Sequence, residues 1–178
     1  EARAAIGRPL SGHVDRTNWS FVTLDPASST DLDQAFAIGR SASDLYLFYA
    51  IADVGAFIAP GGALDRESWE RGVTLYLPDG KVNLYPTSLS EGAASLLPDG
   101  PRPSILFSIR VAPDGKTHLE RAERAMIHSR AKLGYATVRD GELPDGFFDL
   151  SDRIMTAEKA RGAARVDPPQ QQVVERSG

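Results

Sequence analysis

The sequence predicts an α+β fold that is rich in strands, with helices inserted between them. Short runs of aromatic and aliphatic residues at 21–24, 35–38 and 45–51 are typical of β-strands. Asp114-Gly115 follows a fourth such run and indicates a β-hairpin turn. Residues 151–165 have the spacing of apolar and charged residues that is typical of an amphipathic helix.

The first half of the chain predicts three strands around a polar loop. The strand at 21–24 ends at Asp25-Pro26, and the small polar residues that follow predict a loop before the second strand. Residues 41–44 are few enough to join the second and third strands as a hairpin. A short helix is expected at residues 64–71.

The second half of the chain gives two conflicting signals. The strand at 105–111 enters the Asp-Gly turn, so a returning strand is expected from Thr117. Residues 119–133 are nevertheless rich in Ala, Glu, Arg and Lys, which favour helix. We therefore expect strand to about Ser129 and helix after it.

Composition limits the classes of protein that fit. A chain of 178 residues with 42% hydrophobic residues is expected to form one globular domain, between an arm or linker at 1–18 and a polar tail at 166–178. The absence of cysteine excludes disulfides, zinc-thiolate sites and thiol catalysis. No apolar stretch reaches membrane-spanning length and no secretory signal is visible, so we expect no membrane association and a cytoplasmic location. The first residue, Glu1, suggests a piece of a longer protein.

Charge is distributed unevenly along the chain. The net charge of −4 argues against a protein that coats nucleic acid through bulk electrostatics. Residues 101–139, however, contain eight basic and three acidic residues, so this segment could face phosphate groups.

Three acidic residues lie close together between the first two predicted strands. Asp25, Asp31 and Asp33 could converge on one point, and carboxylates so close are unstable as free anions unless a cation compensates them. Magnesium prefers such hard oxygen ligands. A calcium loop or a solvated acidic turn also accounts for these residues, although an EF-hand would need glycine where Phe36 stands. These residues alone leave the alternatives open.

Further strings of residues accompany the acidic loop in a recognisable order. They are Phe21-Val22-Thr23-Leu24-Asp25-Pro26 with Asp31-Leu32-Asp33-Gln34-Ala35, Tyr49-Ala50-Ile51-Ala52-Asp53-Val54, Tyr76-Leu77-Pro78, Leu89-Ser90-Glu91 with Ser95-Leu96, and Ser129-Arg130-Ala131-Lys132-Leu133 with Tyr135. In this order they resemble the ribonuclease II and ribonuclease R (RNB) exoribonuclease family over residues 21–138. The resemblance implies a mixed, mostly antiparallel sheet with helices packed on it, and it makes residues 19–165 the N-terminal part of the family's catalytic domain.

The resemblance also implies an activity and a metal site. Members of the family hydrolyse single-stranded RNA from the 3′ end with magnesium and release nucleoside 5′-monophosphates. Asp25, Asp31 and Asp33 are thereby implied as metal ligands and catalytic residues, with Asp33 the most sensitive position and Asp25 the firmest ligand. Mg²⁺ is the expected cofactor, with Mn²⁺ as the alternative. Gln34 stands where the family usually has a fourth aspartate; its amide oxygen can bind a metal but brings no charge, which puts metal affinity and a second ion in question.

Five residues are implied as RNA contacts. Tyr76 and Tyr135 match family aromatic residues that pack near the 3′-terminal nucleotide and stack on it. Arg102, Arg130 and Lys132 are expected to contact the RNA backbone. Each of the five also fits an ordinary surface or half-buried position.

Two other functions are compatible with the sequence. One is a catalytically weakened RNA-binding module of the same fold, because Gln34 lowers the charge of the metal site. The other is a structural metal-binding domain. Asp53 is expected to form structural hydrogen bonds, and His13, His118 and His128 lack ligand-like spacing. The sequence does not fix the oligomeric state, and we favour a monomer.

Overall fold

The computed structural model describes residues 1–77 and 80–163. Its strands are β1 (Val14–Asp15), β2 (Phe21–Asp25), β3 (Gln34–Ser41), β4 (Asp44–Ala52), β5 (Leu75–Leu77), β6 (Gly80–Val82), β7 (Arg102–Val111), β8 (Thr117–Ile127) and β9 (Ser129–Gly134). Seven of them form one sheet in the order β1-β8-β7-β4-β3-β2-β9, and β5 pairs with β6 in a separate hairpin. The pairs β1–β8 and β2–β9 are parallel and the others antiparallel, which confirms the predicted mixed, mostly antiparallel sheet.

Three α-helices and three short helical turns complete the fold within residues 1–77 and 80–163. The helices are α1 (Ala2–Ile6), α2 (Ala63–Arg71) and α3 (Phe147–Ala160), and the turns lie at Val54–Phe57, Leu89–Ala93 and Asp140–Glu142. Within the described residues, no helix has both the length and the apolar composition needed to cross a bilayer.

The sheet carries apolar side chains on both faces. The larger core includes Phe21, Leu32 and Leu106, all fully buried. On the opposite face, Leu150 of α3 packs against Leu45 and Val111 in a second apolar cluster. Burial of such side chains is the main stabilising contribution to a fold of this kind.

The first eighteen residues, predicted as an arm or linker, carry two packed elements. Ala5 of α1 lies in a third apolar cluster with Phe57 and Leu89. Val14 in β1 pairs with Ala125 in β8, so this segment extends the sheet at its edge.

Two predicted elements differ from the structure. The helix expected after Ser129 is wrong, because residues 129–134 form β9, which pairs in parallel with β2. Pairing with β2, which is regular from Val22 to Asp25, and the burial of Leu133 outweigh the helix propensity of Arg130, Ala131 and Lys132. Helix α3 begins at Phe147, earlier than predicted, because the ring of Phe147 packs 5.9 Å from that of Phe36. Helix α3 also ends at Ala160, before the predicted end at residue 165, and a turn follows it. The predicted polar tail at 166–178 lies outside the described residues.

Candidate functional site

The loop between β2 and β3, residues 25–34, is called the aspartate loop below. Leu32 at its centre is fully buried, and its backbone N–H donates to Ser95 Oγ at 2.9 Å. Ser95 Oγ in turn donates to the carbonyl oxygen of Thr30 at 2.7 Å. These bonds fix the loop backbone, so Asp31 and Asp33 are held on either side of a core residue.

A lysine on β9 holds the other half of the loop. Lys132 Nζ donates to the carbonyl oxygen of Ala27 at 2.8 Å and also to that of Ser29. The backbone N–H of Tyr135 donates to the carbonyl oxygen of Asp25 at 3.1 Å. Lys132, predicted to contact RNA, therefore supports the aspartate loop in this structure, and its role toward RNA stays a prediction.

The three aspartates share one electrostatic environment. Burial raises the pKa of the Asp33 carboxyl, and the charges of Asp31 and Asp25 raise it further, while Lys81 opposes the shift. Burial likewise raises the pKa of Asp25, with a further contribution from Asp31 and an opposing one from Lys132. Ionisation of Asp25 and Asp33 is therefore less favourable than that of an exposed aspartate.

A lysine and a glutamate that the sequence analysis did not select as site residues complete this environment. Lys81 on β6 lies with its Nζ 3.1 Å from Asp31 Oδ2 and 2.8 Å from Glu91 Oε1. The bond from Lys81 is the first cause of a lowered pKa at Glu91, followed by those from Thr30 and Asn83. No local pattern could have found Lys81, because it reaches Asp31 across 50 residues of chain.

An open space adjoins the loop. A cavity of about 160 Å³ is lined by Asp31, Asp33 and Tyr76, among other residues. The Tyr76 side chain is exposed in the β5–β6 hairpin, and Tyr135, directly after β9, is also exposed. Both rings are thus free to stack on a base.

Gln34 already has a side-chain partner. The hydroxyl of Tyr49 on β4 donates to Gln34 Oε1, the atom that would bind a metal. Burial raises the pKa of Tyr49, and the charges of Tyr135 and Asp25 raise it further. Tyr49 is a third site neighbour, after Lys81 and Glu91, that the sequence analysis did not select as a site residue.

The two predicted RNA-binding arginines are engaged within the chain. Arg102 Nη2 lies 2.6 Å from Asp99 Oδ1. Arg130 Nη2 donates to the carbonyl oxygen of Thr17. Their contact with RNA stays a prediction, and each would have to exchange or share these bonds to make it.

Asp53 occupies a different kind of site. Its carboxylate is buried and lies 2.9 Å from His13 Nε2 and 3.2 Å from Arg124 Nε. It also accepts the backbone N–H of Ala56 at 3.2 Å and so caps the turn at Val54–Phe57. The predicted structural hydrogen-bonding role is confirmed, and His13 takes part in it.

The donor chemistry of the aspartate loop suits a hard divalent cation. Asp25, Asp31 and Asp33 offer carboxylate oxygens, and burial together with the neighbouring carboxylates raises the pKa of Asp25 and Asp33, a cost of ionisation that such a cation would relieve. Within the described part of the chain, however, no three His, Cys, Asp or Glu side chains are arranged to hold one ion together. One of the three carboxylates, Asp31, is bonded instead to Lys81.

The comparison with family models supplies the identification. The model of the RNB domain matches residues 13–141, which is more than half of the chain and includes the whole aspartate loop. The chain belongs to the RNB domain family.

Curated relatives of this RNB domain are named as ribonucleases. Exoribonuclease 2 of Photorhabdus laumondii is 36% identical over 129 residues, a match that covers 71% of this chain and 20% of that protein. Exoribonuclease 2 of Proteus mirabilis is 37% identical with the same coverage. The chain thus spans about a fifth of the length of the curated relatives it matches.

Solved structures share the fold of this RNB domain. Mycoplasma genitalium RNase R in complex with double-stranded RNA superposes with a TM-score of 0.69 at 25% identity, covering 84% of this chain and 27% of that one. Yeast Ssd1, described as a pseudonuclease, superposes at 0.65 over 85% of this chain and 20% of its own. At 18% identity, the likeness to Ssd1 shows the fold alone.

Proposed function

We propose that this RNB domain belongs to a hydrolytic 3′-to-5′ exoribonuclease that degrades single-stranded RNA and releases nucleoside 5′-monophosphates. One observation carries the proposal. Asp25, Asp31 and Asp33 lie on one anchored loop, Asp31 and Asp33 line a cavity, and two exposed tyrosines lie nearby. The names of the relatives support the same class of reaction.

The proposed cofactor is Mg²⁺, with Mn²⁺ as a substitute, held by Asp25, Asp31 and Asp33. The ion would supply the positive charge that phosphodiester hydrolysis requires. Gln34 would contribute its amide oxygen only in exchange for, or together with, the hydrogen bond from Tyr49.

The side chains of the chain would position the reacting groups. Asp33, as a carboxylate, would orient the attacking water toward the scissile phosphorus. The water oxygen would lose a proton to solvent and bond to phosphorus, the bond to the leaving 3′ oxygen would break, and that oxygen would take a proton from solvent. Tyr76 and Tyr135 would hold the terminal bases by stacking, which contributes about 1–3 kcal/mol per base.

The test uses the whole protein with RNA of defined ends. Single-stranded RNA with a free 3′ hydroxyl should be shortened to nucleoside 5′-monophosphates when Mg²⁺ is present. The same RNA with a blocked 3′ end, or without the metal, should remain intact. Products with 3′ phosphates, or degradation that begins at the 5′ end, would contradict the proposal.

A second function is favoured by one specific observation. Gln34 replaces an acid and is hydrogen-bonded to Tyr49, which is the arrangement expected of an RNA-binding module with a weakened metal site. Ssd1 shows that the fold also occurs in a protein described as a pseudonuclease. RNA binding without any Mg²⁺-dependent release of nucleotides would establish this alternative.

A further inference from the structure

Lys81 connects the β5–β6 hairpin to the aspartate loop. Its ammonium lies between two carboxylates, at 3.1 Å from Asp31 and 2.8 Å from Glu91. The first carboxylate is a proposed metal ligand, and the second belongs to the helical turn at Leu89–Ala93. Lys81 is therefore a cation that is already bonded to the metal site.

Glu91 is built to remain an anion beside Lys81. Its Oε2 accepts the hydroxyl of Thr30 at 2.9 Å, and its Oε1 accepts the side-chain amide of Asn83 at 3.1 Å. These donors fix the carboxylate independently of Asp31. Lys81 thus has a second, preorganised partner if its bond to Asp31 is lost.

We propose that Lys81 is a resident counter-cation of the aspartate loop that competes with the divalent ion for Asp31, and that Glu91 retains Lys81 when the ion binds. The inference rests on the proposed metal-dependent function and adds a regulation of that site. An ammonium against Asp31 Oδ2 and a divalent ion bound by the same carboxylate repel one another. Metal binding is therefore favoured when Lys81 leaves Asp31, and Glu91 makes that exchange less costly.

The exchange has a consequence for the RNA side of the site. Lys81 and Tyr76 are cross-strand partners in the hairpin, so their side chains lie on the same face. Loss of the Lys81–Asp31 contact therefore changes the position of a charge beside Tyr76. Metal occupancy would thereby alter the electrostatic surroundings of this predicted base-stacking residue.

The experiment measures binding of Mn²⁺ to the whole protein by electron paramagnetic resonance of the free ion. Lys81→Met, which removes the charge and keeps the length, should bind Mn²⁺ roughly fivefold more tightly, the order expected for a partly exposed ion pair. Glu91→Gln should bind it more weakly by a similar factor, because Lys81 then has only Asp31 as its partner. Lys116→Met removes the same charge from an exposed pair with Asp114, and it should leave the affinity unchanged.

The double variant separates this exchange from general electrostatics. If Glu91 acts through Lys81, Glu91→Gln should have almost no effect on Mn²⁺ affinity in the Lys81→Met background. An equal loss of affinity in both backgrounds would overturn the inference, because Glu91 would then act only as a distant charge. Lys81→Arg, which keeps the charge, should retain the affinity of the unchanged protein. Lys81→Gln is a second neutral variant should Lys81→Met fail to fold.

The two proposals fail in different ways. If the unchanged protein binds no Mn²⁺, the metal-dependent function fails and the exchange fails with it. If the unchanged protein binds Mn²⁺ but Lys81→Met does not bind it more tightly, only the exchange is refuted.

Discussion

Two groups of acidic residues in this chain differ in how their charge is compensated. Asp53 is buried, and its carboxylate contacts the imidazole of His13, the guanidinium of Arg124 and a backbone N–H. The aspartate loop holds three carboxylates, and the ammonium of Lys81 that bonds to one of them is shared with Glu91. A compensated acid stabilises the fold, whereas an uncompensated group stores electrostatic energy that a bound cation can release. Compensation, and not burial alone, therefore distinguishes the structural acid from the candidate site.

The largest expected effect is the loss of hydrolysis in Asp33→Asn. Removing this carboxylate should lower the rate of Mg²⁺-dependent RNA degradation by roughly 10²–10⁴-fold, because the water would lose its orienting group. The rate of nucleotide release measures it, with Asp114→Asn on an exposed turn as the matched control. Equal rates in the two variants would remove Asp33 from the mechanism.

The second prediction concerns stability, for which the substitution of Asp53 should have a larger effect than the substitution of Asp33. Asp53→Asn should lower the free energy of unfolding by about 2–3 kcal/mol, because the buried carboxylate that bonds to His13, Arg124 and the backbone N–H of Ala56 loses its charge. Asp33→Asn without metal should leave this free energy unchanged or raise it, because a repelled charge is removed. Urea unfolding of both variants provides the test. A larger destabilisation by Asp33→Asn would mean that the comparison between the two regions is wrong.

The third prediction asks which side of the sheet faces RNA. Tyr135→Ala should weaken binding of single-stranded RNA about tenfold, because one base loses its stacking partner. Tyr135→Phe retains the ring and should retain the affinity. Leu119→Ala changes an exposed apolar residue on β8, the strand that carries Arg124, and should have no effect. Fluorescence anisotropy measures all three, and an equal loss from Leu119→Ala would argue against a specific RNA surface at the loop.

The smallest expected effect is a dependence of metal-free stability on pH. The pKa of Asp33 is raised in the folded chain, so its contribution favours folding at low pH and is lost as pH rises through the raised value. The advantage of Asp33→Asn over the unchanged protein should therefore grow between about pH 4 and pH 7. Saturating Mg²⁺ should abolish this trend. Thermal unfolding at several pH values measures it, and an advantage that shrinks with rising pH would contradict the assigned direction.

The sequence predicted most of the strands but misassigned one of them. Strands β2, β3 and β4 have local apolar runs and short connections, so their existence could be predicted from neighbouring residues alone. Strand β9 consists of helix-favouring residues and exists because β2, more than a hundred residues earlier, offers a parallel edge. Pairing between distant segments is not encoded in local propensity.

The candidate site was predicted only in part, again because contacts between distant segments are not encoded in local sequence. Asp25, Asp31 and Asp33 are close in sequence, so their shared environment could be anticipated. Lys81, Glu91 and Tyr49 reach the loop from separate elements, and their positions depend on the tertiary fold. Lys132 was selected as an RNA contact from its sequence, but in the structure its ammonium donates to the backbone carbonyl oxygens of Ala27 and Ser29.

The central claim is that the aspartate loop binds a divalent cation. Titration of Mn²⁺ into the metal-free protein, followed by electron paramagnetic resonance, measures this directly. The account predicts saturable binding that is lost in Asp31→Asn and retained in Asp114→Asn. Binding of equal strength in both variants, or no saturable binding in the unchanged protein, would contradict it.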